Sequence, residues 1–165
     1  VEDSVARYMT LEGFQAIQAE LDRLWSKERP DVVAQVTAAA EMGDRSENAE
    51  YIYGKKRLRE IDSRLRYLGK KVEGVTVVNL AEQVTSPVVK FGAVVVVEDE
   101  DGEEKTWRLV DQDEADVARR RISVQSPIGR ALLGKRVGDV VEIDLPRGRT
   151  SLELRGLRYG PGEPG

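Results

Sequence analysis

Through about the first seventy residues, apolar positions recur at helical spacing; beyond them the pattern changes to short β-rich runs. Phe14, Ile17, Leu21 and Leu24 stand three, four and three positions apart, the seam spacing of a coiled coil. Thr10 is placed to cap a helix opening at Leu11-Glu12. Pro30 deletes a backbone donor and crowds the preceding turn, so a kink is expected there. The pattern resumes through Val32, Val33, Val36, Ala39 and Ala40 up to Gly43. A second stripe, Leu58, Ile61, Leu65, Leu68 and Val72, is uninterrupted, although Gly54 and Gly69 each weaken that helix by about 1 kcal/mol relative to alanine. Two facing stripes joined by a short break predict a long antiparallel α-helical coiled-coil hairpin over residues 1–74. Arms of roughly 25–35 residues, at about 1.5 Å per residue, would reach ~40–50 Å. Ala38, Ala39, Ala40 and Ala49 thin the seam toward the break and predict a slender end.

From Gly74 the runs Val75–Val78, Phe91–Val97, Thr106–Val110, Ile122–Val124, Val140–Ile143 and Ser151–Leu154 alternate with turn signals such as Asp101-Gly102 and Gly138-Asp139. Between Ser126 and Lys135 a short helix is expected, with Ser126 as N-cap and Pro127 at its first position. Residues 75–165 thus predict an α+β domain, an antiparallel sheet with one short helix, ending in a flexible Gly/Pro tail.

Composition narrows the chemistry. Of 165 residues 40% are hydrophobic and 34% charged, enough for a core beneath a strongly solvated surface. With neither cysteine nor histidine, disulfides, Cys/His zinc sites and the usual serine- or cysteine-hydrolase arrangements are excluded. No stretch approaches the ~20 apolar residues of a membrane span. Val1-Glu2-Asp3-Ser4 lacks the basic flank and apolar run of a secretory signal, so a cytoplasmic home and no membrane partner are expected. The net charge of −4 conceals two opposite regions: eight basic against two acidic residues over 55–71, and ten acidic against two basic over 98–116.

Two constellations could carry chemistry. Asp44 and Glu47 follow Gly43 at the break between the arms. Their D-x-x-E spacing suits a capping pair, with Asp44 as N-cap and Glu47 at the third helical position. Capping is the reading the spacing favours; the alternative is two hard oxygen donors for Mg2+, a weak site unless another macromolecule supplies the remaining ligands. On the second arm Lys55, Arg59 and Arg66 share a face flanked by Lys56 and Arg57, opposite the Leu/Ile stripe. Such a patch binds phosphates irrespective of base sequence, and Tyr51 and Tyr53 beside it could stack on bases.

The runs GDRSENAEY (43–51), YGKKRLREID (53–62), RYLGKK (66–71) and ISVQSPIGRALLGKRVGDVVEI (122–143) resemble the bacterial Gre transcript-cleavage factors. Leu24-Trp25, Glu28-Arg29-Pro30 and the KKRLREID segment are similar to the family's GreB branch. The resemblance implies an FKBP-like second domain that docks on bacterial RNA polymerase, and a hairpin, on a monomeric factor, that enters the polymerase's secondary channel. There the tip would stabilise a shared catalytic Mg2+ while the polymerase itself hydrolyses backtracked nascent RNA; the factor would be an accessory and no autonomous nuclease. Carried over by motif, the catalytic and metal-binding pair falls on Asp44 and Glu47, and the RNA-binding patch on Lys55, Lys56, Arg57 and Arg59. The docking pair falls on Ser126 and Pro127. Gly129 stands where the family usually has alanine. The alternatives are a Gre-like regulator that plugs the channel without stimulating cleavage, a free-standing RNA-binding coiled coil, and a proline isomerase built on the second domain. The last would need an aromatic pocket, for which residues 75–165 offer only Phe91, Trp107 and Tyr159.

Overall fold

The structure, a computed structural model, describes residues 7–43 and 48–164, which form parts of two compact units. The helical unit spans Phe14–Val75. Its first arm runs through α1 (Leu11–Arg23, rooted in the other unit), a π turn (Leu24–Glu28) and α2 (Arg29–Ala40); its second is α3 (Ala49–Val72). A π turn stands just ahead of Pro30, where a kink is expected. Arg23, Glu28 and Arg29 keep right-handed helical dihedrals, and the Arg29 N–H donates to Leu24 O, five residues back. The wider turn falls just ahead of Pro30, where the regular ladder would lose a donor and meet the proline ring.

The two stripes meet as their spacing requires. Leu24, Ile61 and Leu68 are buried, with Ile17, Leu21, Val32 and Leu65 packed against them. Burying a side chain such as Ile61 or Leu68 contributes about 1.5–3 kcal/mol. Ion pairs flank the seam: Glu20–Arg64 at 2.7 Å, Glu28–Arg57 at 3.1 Å and Arg29–Asp62 at 2.8 Å. Toward the loop Gly54 is buried, because a Cβ there would lie 2.6 Å from Val36 Cγ2. The helix-weakening glycine is what lets the arms approach.

The second unit contains the residues up to Gly13 together with those from Thr76 onward. Residues 7–13, expected within an N-terminal block over 1–74, group by contact with the sheet unit. β1 (Tyr8–Thr10), which hydrophobic periodicity did not signal, pairs in parallel with β2 (Thr76–Val78), Met9 opposite Val77. The larger sheet comprises β3 (Val94–Glu98), β4 (Glu104–Val110), β5 (Arg121–Ser123), β6 (Val140–Leu145) and β7 (Gly148–Arg158), in the order β5-β4-β3-β7-β6. It is not wholly antiparallel: β5 runs parallel to β4, since residues 111–120 cross back through two short 3-10 turns before β5 begins. Val95, Val97, Leu109, Ile143, Leu152 and Leu154 form its core, closed by Leu132 of the short helix α4 (Pro127–Leu132). The segment after β7 is also corrected. Arg108 donates to the carbonyls of Gly160 and Gly162, and Pro164 is buried, so this stretch is held against the sheet.

Thr10 caps α1 as expected, its Oγ1 accepting from the Gly13 N–H at 3.0 Å. The same hydroxyl and the Thr10 N–H donate to the two carboxylate oxygens of Glu114. A Cβ on Gly13 would collide with that carboxylate, so glycine permits the contact. Burial pushes the Glu114 carboxyl up from 4.5, and the Thr10 hydrogen bonds only partly offset it. A raised folded-state pKa stabilises fully below the unfolded value and is lost as pH rises through the folded value. Relative to Glu114→Gln, the wild type should therefore lose stability as pH rises from 4.5, in urea denaturation between about pH 4 and about pH 8. A difference between the two proteins that does not change with pH would contradict this.

Candidate functional site

Asp44 and Glu47 lie outside the described residues. The flanking backbone nevertheless decides one question about them. α3 opens at Ala49, and its N-cap is Asn48, in extended backbone (φ −86, ψ 97), with Oδ1 accepting from the Tyr51 N–H at 3.1 Å. The capping role considered for Asp44 thus belongs to Asn48, four residues on. Asn48 also donates from Nδ2 to Ala39 O at 2.6 Å. One side chain serves orphan groups at the end of α2 and at the start of α3, holding both ends of the loop together. Sequence reading missed Asn48 because the D-x-x-E spacing competed with it, although asparagine before a helical run is itself an N-cap signal.

The basic residues of α3 divide into two sets. Lys55, Lys56 and Arg59 are exposed and, among the described residues, have no ion-pair partner; Arg66 extends the same face. Arg57 is half-buried and bridges Glu28 at 3.1 Å and Glu60 at 3.4 Å, so it is more a clamp between the arms than part of an open patch. Arg64 pairs with Glu20 and lies over the Tyr67 ring at 5.6 Å. Its guanidinium holds the Glu20 carboxyl below the usual range. Tyr53, 71% exposed, and Ile52, 53% exposed, present apolar surface beside the free cations. An exposed aromatic among unpaired lysines and arginine can take a stacked base and its phosphates together.

In the sheet unit Ser126 and Pro127 open α4. The Ser126 hydroxyl accepts from the Gly129 N–H at 3.0 Å and donates to Ser123 O at 2.6 Å, so both its functions are engaged within the chain. Pro127 is exposed at the first helical position. A Cβ on Gly129 would lie 2.3 Å from Ser123 O, which explains glycine at this position: α4 sits directly on the end of β5. Of the three aromatics, Trp107 lines a cleft with Ile128, Ile143 and Leu152. Phe91 instead stacks on Tyr8 at 5.7 Å, and the Tyr159 hydroxyl donates to Val88 O. The aromatic set is dispersed rather than gathered into one pocket.

Comparison with known proteins covers most of the chain. Residues 7–77 match the family described as "Transcription elongation factor, N-terminal", and residues 84–159 that described as "Transcription elongation factor, GreA/GreB, C-term". The chain belongs to the GreA/GreB family of transcription elongation factors. Within it, the chain is 49% identical over 156 residues to transcription elongation factor GreB of Yersinia pestis, covering 94% of this chain and 91% of that protein. The GreB of Pasteurella multocida is 46% identical over 154 residues, covering 93% and 97%. Among solved structures, GreA factor homolog 1 of Thermus thermophilus is 26% identical, with coverage of 93% and 99% and a TM-score of 0.42. No helix of the described residues is long and apolar enough to cross a membrane.

Replacing Asn48 with alanine removes a cap of about 1 kcal/mol. The variant should unfold at correspondingly lower denaturant, and the Tyr51 amide should exchange its hydrogen faster than amides near Leu68. Uniform acceleration along α3 would mean that Asn48 does not act locally.

Proposed function

We propose that the two arms form an antiparallel coiled-coil hairpin that enters the secondary channel of bacterial RNA polymerase, where it stimulates the polymerase's own hydrolysis of backtracked nascent RNA. The observation carrying this reading is the coincidence, in a GreA/GreB family member, of the Asp44/Glu47 pair in the sequence between two packed helices with the exposed cations that follow it on α3. Family membership supplies the context, and the residues supply the chemistry.

Asp and Glu carboxylates are hard oxygen donors, the kind that Mg2+ takes, and two of them leave most of an octahedral shell to other ligands. Asp44 and Glu47 would hold a Mg2+ shared with the polymerase; a second cation there stabilises the attacking and leaving oxygens of phosphodiester hydrolysis. Asp44 is the primary ligand, and Glu47 a second ligand or a group orienting the attacking water. Asn48 joins the end of α2 to the start of α3. Lys55, Lys56 and Arg59 bind the phosphates of the extruded 3′ segment, and Tyr53 offers it a stacking face. The Ser126-Pro127 end of α4 and the FKBP-like sheet unit dock on the polymerase, with Ser126 shaping the helix start and Pro127 making the contact. The factor acts as a monomer, and the scissile chemistry remains the polymerase's.

Added to backtracked elongation complexes, the purified protein should speed release of short 3′ RNA fragments, and Asp44→Asn should return the rate to the polymerase's intrinsic level while binding persists. A wild-type protein that only slows nucleotide addition would establish instead a channel plug. Charge reversal of Lys55 and Lys56, which leaves the Arg57 clamp intact, should impair cleavage of long extruded segments more than short ones. It should also lower the salt slope of RNA-dependent affinity by about 1 per lysine. Equal loss at every RNA length would contradict phosphate tracking.

A further inference from the structure

One side of the sheet unit gathers four arginines with few carboxylates. Arg108 (β4) is fully buried and Arg121 (β5) is 5% exposed. Arg119 lies in the turn before β5, and Arg158 ends β7. Arg120 between them adopts left-handed backbone (φ 56, ψ 42), which turns Arg119 and Arg121 toward common acceptors. Those acceptors are Glu12 and Glu163. Arg119 reaches Glu163 Oε1 at 2.7 Å and Glu12 Oε1 at 3.3 Å. Arg121 reaches the same two carboxylates only at 3.5 and 3.4 Å.

Among the described residues, Arg108 contacts no carboxylate. Its Nη1 donates to Gly92 O at 2.8 Å, and its Nη2 to Gly160 O at 2.8 Å and Gly162 O at 2.7 Å. Among the described residues, the Nε atoms of Arg108 and Arg121 are buried without any partner. Neutral carbonyls satisfy donors but do not neutralise charge, and a buried guanidinium without a close anion is costly. Burial, with Arg121 and Arg158 nearby, accordingly lowers the pKa of Arg108. Glu163, the best-placed anion, lies on the 159–164 segment that Arg108 and Arg158 also grip by its carbonyls.

We infer that this arginine cluster is a binding site for a phosphate-type oxyanion, occupied within the chain by the 160–164 segment with Glu163 in the anion's place. Glu163 Oε1 receives Arg119 at 2.7 Å and Arg121 only at 3.4 Å. A phosphate group carries more charge and more acceptor oxygens, so it can meet several forks at once. Exogenous di- or triphosphate competes with Glu163 for Arg119 and Arg121, and its binding releases the segment. None of its residues belongs to the cation patch on α3.

The test is titration of the full chain with pyrophosphate at constant ionic strength, followed by amide resonances. Glu163→Gln should bind about tenfold or more tighter than wild type, since one charge-assisted competitor is lost. The shifts should concentrate on residues 119–121 and 160–163. Adding Arg119→Gln, a half-exposed position that folding tolerates, should abolish the gain; the spectra themselves report that each variant is folded. Pyrophosphate that moves only amides near Lys55 and Lys56, or that binds all three proteins equally, would overturn the inference. Malonate binding to Glu163→Gln as tightly as pyrophosphate would overturn its phosphate character.

Discussion

The helical unit depends on one narrow seam. Ile61 and Leu68 are fully buried among Leu24 and its half-buried neighbours, and few other residues of the arms are buried. So thin a core cannot hold two long helices in register alone, which is why the ion pairs at its edges matter. Glu20–Arg64, Glu28–Arg57 and Arg29–Asp62 are individually modest, as surface pairs are. Together they exclude slippage, because shifting one arm by a turn would break all three and misplace Gly54 against Val36. Register in turn sets the Asn48 contacts, since Asn48 can bridge Ala39 and Tyr51 only if the arms end level.

The same constraint sorts the charge on α3. Cations near the seam are drawn into cross-arm pairs, while those on the far face remain available. A net count over residues 55–71 therefore overstates what a polyanion would meet: Arg57 and Arg64 stiffen the arms, and Lys55, Lys56, Arg59 and Arg66 form the open face. The sheet unit uses arginine differently, burying Arg108 and Arg121 where their forks hold a chain segment by its carbonyls.

Much of this was legible in the sequence. The uninterrupted Leu58–Val72 stripe marks the buried face of α3 because nothing competes with its period. The six β-rich runs each contain a strand, and Ser126-Pro127 begins a helix, because local turn chemistry settles both. What was not legible depends on partners distant in sequence. β1 exists because Thr76–Val78 lies beside it. The parallel edge at β5 follows from how residues 111–120 cross, and a Gly/Pro segment that reads as loose is held by an arginine fifty-odd positions earlier. Pro30 was weighed only against a regular helix, and the π turn lay outside that comparison. Asp44 and Glu47 stand between two readings on spacing alone; Asn48 takes the N-cap of α3, and the two carboxylates lie outside the described residues.

Underlying the functional account is the idea that two carboxylates on a stiff support complete a metal site whose other ligands belong to a partner. The Mg2+ dependence of RNA hydrolysis in backtracked complexes tests this most directly. With the factor present, half-maximal cleavage should require less Mg2+ than with polymerase alone. A higher maximal rate at an unchanged Mg2+ midpoint would mean that Asp44 and Glu47 contribute no ligands, and the account would fail.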